Sequence, residues 1–257
     1  MKVSKLQIGA LTLTPDSRDE VISRVCSSSA GGRVVSVVTP NVFHLYLAEK
    51  DPAVASAIQS ADISIPDGWP VAYLLSRRYG YANGRITGSD LSVSILEIAN
   101  QKRKSVQILG GTDDSLAKAI DVVGRTYPDI RLISTPNNPY LPQIPTESST
   151  RELLEALNAD PADIVLLCMG APKSELHLAA IKGEVQSGSV LCVGATVDFL
   201  SGSKRRAPVV MQRLKLEWLF RTLQEPRRLS GRYVKGGIAF LSALRHLSSE
   251  QGKQGHV

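Results

Sequence analysis

Asp67 is the acid best placed for proton transfer. It follows Pro66, precedes Gly68 and closes the short apolar run Ala61–Ile65. A carboxylate held there can take the proton of an incoming hydroxyl as a general base. The plain alternative for an Asp-Gly pair is a turn or capping aspartate. Other small or polar turns follow apolar runs in the same way: Thr39-Pro40-Asn41, Gly110-Gly111-Thr112, Gly170-Ala171-Pro172-Lys173 and Gly194-Ala195-Thr196. Turns of this kind expose backbone N–H groups, and a following helix N-terminus adds positive potential, which suits a phosphate. The alternative is that the glycines only make tight turns. Neither G-x-G-x-x-G nor G-x-x-x-x-G-K-[ST] occurs, so the two common nucleotide fingerprints are missing. Arg85-Ile86-Thr87-Gly88-Ser89-Asp90 sets an arginine, two hydroxyls and an acid before a helical stretch, as a phosphate or sugar site or as an ordinary helix start. Asp198 suits a sugar or ribose hydroxyl, or a helix cap. His44 and His177 fall on helical stretches and read as packed or solvated.

The elements that carry these turns alternate. Strands are expected at Arg33–Thr39, Ala61–Ile65, Ser105–Leu109, Ile130–Ser134, Asp163–Met169 and Ser189–Val193, from their β-branched apolar runs. Helical spacing covers Val42–Ser60, with Asp51-Pro52 able to begin a second helix within it. It returns at Trp69–Arg78, Ser89–Gln101, Ser115–Thr126, Arg151–Leu157 and Glu175–Lys182, and Thr135–Ser149 reads as a loop. This alternation predicts an α/β fold: a mainly parallel, Rossmann-like sheet covered by helices on both faces. In such a sheet ligands lie beyond the carboxyl ends of the strands, which would gather all five turns on one edge. After Ala207-Pro208 the pattern changes to two helical stretches, Val209–Gln224 and Tyr233–Leu247, with a polar tail expected to fray after Ser248. The expected division is a core over residues 1–203 and a small basic helical C-terminal segment over 204–257.

Composition limits the function. The 257 residues carry a net charge of +6, and ten of the Lys and Arg residues fall between Lys204 and Lys235 against two acids, Glu217 and Glu225. That segment calls for an anionic partner: phosphate, nucleic acid or an acidic lipid surface. Nucleic acid is disfavoured by an aromatic content of 5% and by the lack of a recognition motif. Cys26, Cys168 and Cys192 are widely spaced, with neither a disulfide framework nor metal-ligand spacing, so no metal is expected. No apolar run approaches the roughly 20 residues that span a bilayer, and Met1–Thr14 lacks a signal-peptide apolar core. A cytosolic protein is expected.

In order and spacing, seven stretches resemble the WecG/TagA/CpsF family, glycosyltransferase family 26. They are TPNVFHL (Thr39–Leu45), ADISIPDGWPV (Ala61–Val71), RITGSDL (Arg85–Leu91), ILGG (Ile108–Gly111), MGAPKSE (Met169–Glu175), VGATVDFLSGSKRRAP (Val193–Pro208) and EWLFRTLQEPRRLSGRY (Glu217–Tyr233). The resemblance implies an inverting transfer of N-acetylmannosamine or a related sugar. The donor is a UDP-sugar and the acceptor a polyprenyl-diphosphate-linked sugar, in teichoic-acid, common-antigen or exopolysaccharide synthesis, without a metal or other cofactor. It implies that Asp67 is the base, with Thr39 beside it in the catalytic centre. Substrate would meet Asn41, Gly68, Arg85, Gly88, Asp90, Gly110, Gly170, Pro172, Lys173, Glu175, Gly194 and Asp198. The basic segment would lie on the acidic inner face of the membrane, close over the site and supply arginines. An incomplete, exposed site would also favour a homo-oligomer. Two positions depart from the family pattern: Ser174 replaces a glutamine and Val197 a phenylalanine.

Without a metal, a leaving diphosphate needs N–H groups and guanidinium ions. Arg206, Arg221, Arg227 and Arg228 are the candidates, the alternative being a solvated basic face drawn to acidic lipid. Leu214, Trp218, Leu219 and Phe220 can face a bilayer or pack on the core. A rival reading is a membrane-associated protein that binds a UDP-sugar without transferring it.

Overall fold

The computed structural model describes residues 5–134, 138–204, 207–208, 210–211, 214 and 216–254. An antiparallel hairpin opens the chain, β1 (Leu6–Ile8) and β2 (Leu11–Leu13), followed by α1 (Arg18–Ser27). Neither was expected from the sequence: three-residue strands are too short to show a period, and α1 buries only Val21, Val25 and Cys26. Then come β3 (Val35–Val38), α2 (Val42–Lys50), α3 (Pro52–Ser60), β4 (Ile63–Ser64), α4 (Trp69–Tyr79) and α5 (Gly88–Gln101). The middle of the chain forms β5 (Ser105–Leu109), α6 (Asp113–Thr126), β6 (Arg131–Ile133), α7 (Glu147–Asn158) and β7 (Ile164–Leu167). Last come α8 (Lys173–Ile181), β8 (Ser189–Cys192), α9 (Thr196–Leu200), α10 (Glu217–Gln224) and α11 (Pro226–Gln254).

Six strands form one parallel sheet in the order β4-β3-β8-β7-β5-β6. The expected α/β sheet is therefore present. Both faces are covered, as a parallel sheet requires. Along β7, Ile164 and Leu166 join one apolar cluster, while Val165 and Leu167 join the other. The first face carries α1, α5, α6 and α9, through Val21, Leu91, Ile95, Leu116 and Val197. The second carries the hairpin, α2, α3, α4, α7 and α8, through Leu13, Leu45, Ile58, Leu74, Leu153 and Leu178.

The helix α11 belongs to this second layer. Ala239, Ala243 and Leu247 recur every four residues and are buried in the same cluster, against α2 and α4. A Cβ on Gly236 would lie 2.9 Å from Val42 Cγ1, so glycine there lets α11 approach α2 closely. The helix runs through Gln254, past the Ser248 at which fraying was expected; no proline stops it after Pro226. The expected helix over Val209–Gln224 is described as α10 from Glu217 onward, and several earlier positions of that span lie outside the described residues.

The chain leaves β3 outward to β4 at one edge, crosses to β5 and β6 on the other side, and returns through β7 to β8, the direct neighbour of β3. A crevice at the carboxyl ends follows from that reversal. Among the described residues no helix is long and apolar enough to cross a membrane.

Candidate functional site

Local bonding fixes the turns that rim this crevice. Thr39 follows β3, and its hydroxyl donates to the Cys192 carbonyl at 3.0 Å, tying the ends of β3 and β8 together. Gly88 sits directly above: a Cβ there would stand 3.1 Å from Thr39 Oγ1 and 3.3 Å from Val193 Cα. Asn41 caps α2, its Oδ1 accepting from the Phe43 N–H at 3.0 Å. Asp67 is anchored by its own N–H, which donates to the Pro40 carbonyl at 2.9 Å. On the far side, Gly110 and Gly111 adopt φ of +104° and +73°. The Gly110 N–H donates to Asn138 Oδ1 at 3.1 Å, which fixes the following loop against the turn.

Two cavities meet here. The first, about 680 Å³, is polar. It gathers the expected residues Thr39, Asn41, Asp67, Gly88, Gly110, Gly170, Lys173, Glu175, Gly194, Asp198, Arg221 and Arg228 on one wall system. The second, about 640 Å³, is lined largely by apolar side chains and runs beneath α10 and α11. Gly68 and Arg85 line it, with Trp69, Phe240, Trp218 and Tyr233. Trp69 meets Phe240 edge-on at 5.4 Å, and Trp218 meets Tyr233 at 5.9 Å. Asn41, Asp67, Ser89, Arg221 and Arg232 line both cavities.

The carboxyl of Asp67 is enclosed at this junction. Burial pushes its pKa up from the ordinary 3.8 to about 6, and the negative charge of Glu217 adds to that, while Arg221, His44 and Arg85 oppose it. A carboxylate so tuned is a stronger base than a solvated one and is still ionised at neutral pH.

Several expected contacts are already engaged within the protein. Arg85 Nη1 pairs with Glu217 Oε2 at 2.9 Å, joining α10 to the α/β layers. Asp198 pairs with Lys204, which also reaches Glu225 Oε2 at 3.2 Å, and Glu225 in turn pairs with Arg228. This chain of charges holds the start of α11 over the polar cavity. Asp90 accepts from the Thr87 hydroxyl at 2.6 Å and lines neither cavity. Pro172 forms the start of α8, and Arg227 is exposed; neither lines either of these two cavities. Arg206 lies outside the described residues. Ser174 is fully buried and accepts from the Met169 N–H at 3.2 Å, so it closes a turn and lines neither cavity.

Sequence reasoning missed Arg232, whose guanidinium lies 4.7 Å over the Phe43 ring. Burial and the nearby Arg221 lower its pKa. The available signal was its spacing: Arg228 and Arg232 are four residues apart and share one helix face. Also missed was Tyr140, exposed at the mouth of the polar cavity, with Lys173 Nζ 5.6 Å from its ring. His44, read as packed or solvated, is buried and lines the polar cavity. Among the described residues no group of three or more His, Cys, Asp or Glu side chains is placed to hold a metal ion.

A carboxyl with a raised pKa at the junction of a polar, arginine-bearing cleft and an aromatic one suits group transfer between an anionic ligand and a second substrate. The Glycosyl transferase WecG/TagA/CpsF family model matches residues 6–253, and the chain belongs to that family of glycosyltransferases in cell-envelope polysaccharide synthesis.

Proposed function

We propose that this protein is an inverting hexosyltransferase that moves a sugar from a UDP-sugar to a lipid-diphosphate-linked acceptor. The observation that carries this reading is the placement of Asp67 on the wall shared by the two cavities. The donor lies in the polar cavity, across the strand ends. Its diphosphate is met by Arg221 and Arg232, and by Lys173 toward the Tyr140 end. The acceptor enters by the aromatic cavity, where flat side chains suit the apolar faces of a sugar ring and its carrier. Asp67 takes the proton of the acceptor hydroxyl as the oxygen attacks the anomeric carbon from the side opposite UDP. The glycosidic bond forms, and the bond from carbon to phosphate oxygen breaks with its electron pair leaving on UDP. One displacement inverts the configuration. Arginine is suited to the leaving diphosphate because its planar fork binds oxygens in pairs and the cleft is partly desolvated.

Residues 204–257 supply the arginines and the membrane contact. Val234, Ile238 and Leu241 on α11 and Leu223 on α10 are exposed apolar side chains, and Arg227 and Lys235 lie close to them in sequence. Such a band fits the surface of an acidic bilayer, each basic residue adding about 1 kcal/mol.

The test is a transfer assay with UDP-N-acetylmannosamine, UDP-N-acetylglucosamine, UDP-glucose and UDP-glucuronate, a short-chain lipid-diphosphate sugar acceptor, and arms with and without EDTA. Transfer from one donor, with an inverted product and none from Asp67→Asn, supports the reading. Full activity of Asp67→Asn removes the base from it. UDP-sugar binding without transfer to any acceptor favours a binding protein.

A further inference from the structure

The aromatic cavity has a gap in one wall. Ser230, Tyr233, Val234, Gly237 and Phe240 of α11 line it. At 3.6 residues per turn the other four project within about 60° of Gly237, two on either side. Gly237 therefore stands at the centre of the helix face turned to the cavity. It is half-buried, and a Cβ there would meet nothing within 4 Å among the described residues. The neighbouring Gly236 is explained by packing, since its Cβ would lie 2.9 Å from Val42 Cγ1. Gly237 has no such close approach to require it. A glycine inside a helix weakens it relative to alanine. What this glycine provides is a strip of bare backbone where a side chain would take up cavity space.

The two ends of the cavity identify what passes the gap. At the inner end stands Asp67, on the wall shared with the polar cavity. At the outer end Phe240 meets the ring of Trp69 at 5.4 Å and that of Tyr73 at 6.3 Å. Tyr73 is exposed, and so are Val234, Ile238 and Leu241. Val234 belongs both to the cavity wall and to this exposed apolar band, so the two surfaces are continuous. An acceptor whose hydroxyl reaches Asp67 must leave by the outer end, and only its apolar part matches the lining there.

We propose that Gly237 opens a passage for the apolar carrier chain of the acceptor, so that bulk at this one position sets how well the carrier is held. This rests on the lipid-linked acceptor reading above. The gap holds the chain and leaves the nucleotide untouched.

Tryptophan fluorescence of the full chain tests it, because Trp69 and Trp218 are its only two tryptophans and both line this cavity. The probes are decyl diphosphate below its micellar concentration, methyl diphosphate and dihexanoyl phosphatidylserine, with UDP binding followed by calorimetry. Wild type should bind decyl diphosphate at least tenfold more tightly than methyl diphosphate, which burial of about two methylenes already supplies. Gly237→Leu should lose about tenfold or more for decyl diphosphate and stay within about twofold for UDP. Gly231→Leu is the matched control: Gly231 is exposed on the same helix, also with nothing within 4 Å, and lines neither cavity. It should bind every probe as wild type does. Gly237→Ala serves where the leucine variant does not fold; its Tm should rise by about 2–4 °C while decyl diphosphate affinity falls about threefold. Unchanged decyl diphosphate affinity in both Gly237 variants overturns the proposal. An equal loss in Gly231→Leu traces the effect to the helix and not to the gap, and overturns it too. Phosphatidylserine bound as tightly as decyl diphosphate, with the same dependence on Gly237, means a general lipid groove and overturns the assignment to the acceptor. A wild type that binds UDP but does not prefer decyl to methyl diphosphate overturns the passage and leaves the donor reading standing. A wild type that prefers decyl diphosphate but does not bind UDP supports the passage and removes the donor reading.

Discussion

Replacing Asp67 by asparagine should abolish transfer and at the same time stabilise the fold. The carboxyl is displaced from 3.8 to about 6, chiefly by burial. Holding it ionised in the folded chain therefore costs about 3 kcal/mol at neutral pH, at about 1.36 kcal/mol for each tenfold change in proton affinity. Water in the cavities screens part of this charge, which reduces the figure to about 1–3 kcal/mol. Asparagine has nearly the same shape and carries no charge to desolvate. The folded chain binds this proton more tightly than the unfolded chain, so wild type loses stability relative to Asp67→Asn as pH rises from about 3.8 to about 6. Above that window the difference is constant, and below it the difference vanishes because the acid is neutral in both states. Urea unfolding of the two proteins at pH 4, 6 and 8 reads the effect directly. The expected result at pH 8 is a variant more stable by about 1–3 kcal/mol, or about 3–10 °C in Tm for a chain of this size. Equal stabilities at pH 8, or a difference that does not change with pH, would refute the argument that this carboxylate is desolvated by its surroundings.

Four further outcomes follow from the same geometry. The pH profile of kcat/KM should rise through about 6 as Asp67 ionises; Glu217→Gln should move that limb to lower pH, and an unmoved limb would detach Glu217 from the base. Arg221→Ala and Arg232→Ala should each lower kcat by about 10²–10³ in the transfer assay, whereas Arg227→Ala, which lines neither cavity, should stay within about twofold. Gly110→Ala should destabilise by more than about 2 kcal/mol in denaturant, since φ is +104° and its Cβ would stand 2.7 Å from the Cys168 backbone. Gly170→Ala, at φ +79° with nothing within 4 Å, should cost only about 1 kcal/mol. Ile238→Asp should weaken co-sedimentation with phosphatidylserine vesicles without lowering Tm, because Ile238 is 60% exposed; equal binding of the variant and wild type would count against the apolar band as the membrane contact.

The α/β alternation was legible because parallel strands buried on both faces leave continuous apolar runs, as in Ser189–Val193. The helices between them carry a 3.6-residue period and recognisable starts, such as Asp51-Pro52. Once a parallel sheet is inferred, the turns after its strands must share one edge, so Thr39, Asp67, Gly110, Gly170 and Gly194 could be grouped from spacing alone. The hairpin β1–β2 and α1 were not legible. The hairpin strands are three residues long, and α1 buries only Val21, Val25 and Cys26 along a mostly polar span.

The linear sequence by itself determined the layers, the edge that bears the site and the family, because each depends on local pattern and ordered motifs. Only the tertiary structure decided which side chains share a cavity. Strand order put Asp67 at the junction of two clefts. The register of α11 on α2 turned Arg232 inward and left Arg227 in solvent. The pairing of Arg85 with Glu217, 132 residues away, and of His44 with Glu175 brought together groups that no spacing connects. Burial and pairing depend on what the rest of the chain places around a residue, and that information is distributed over contacts far apart in sequence.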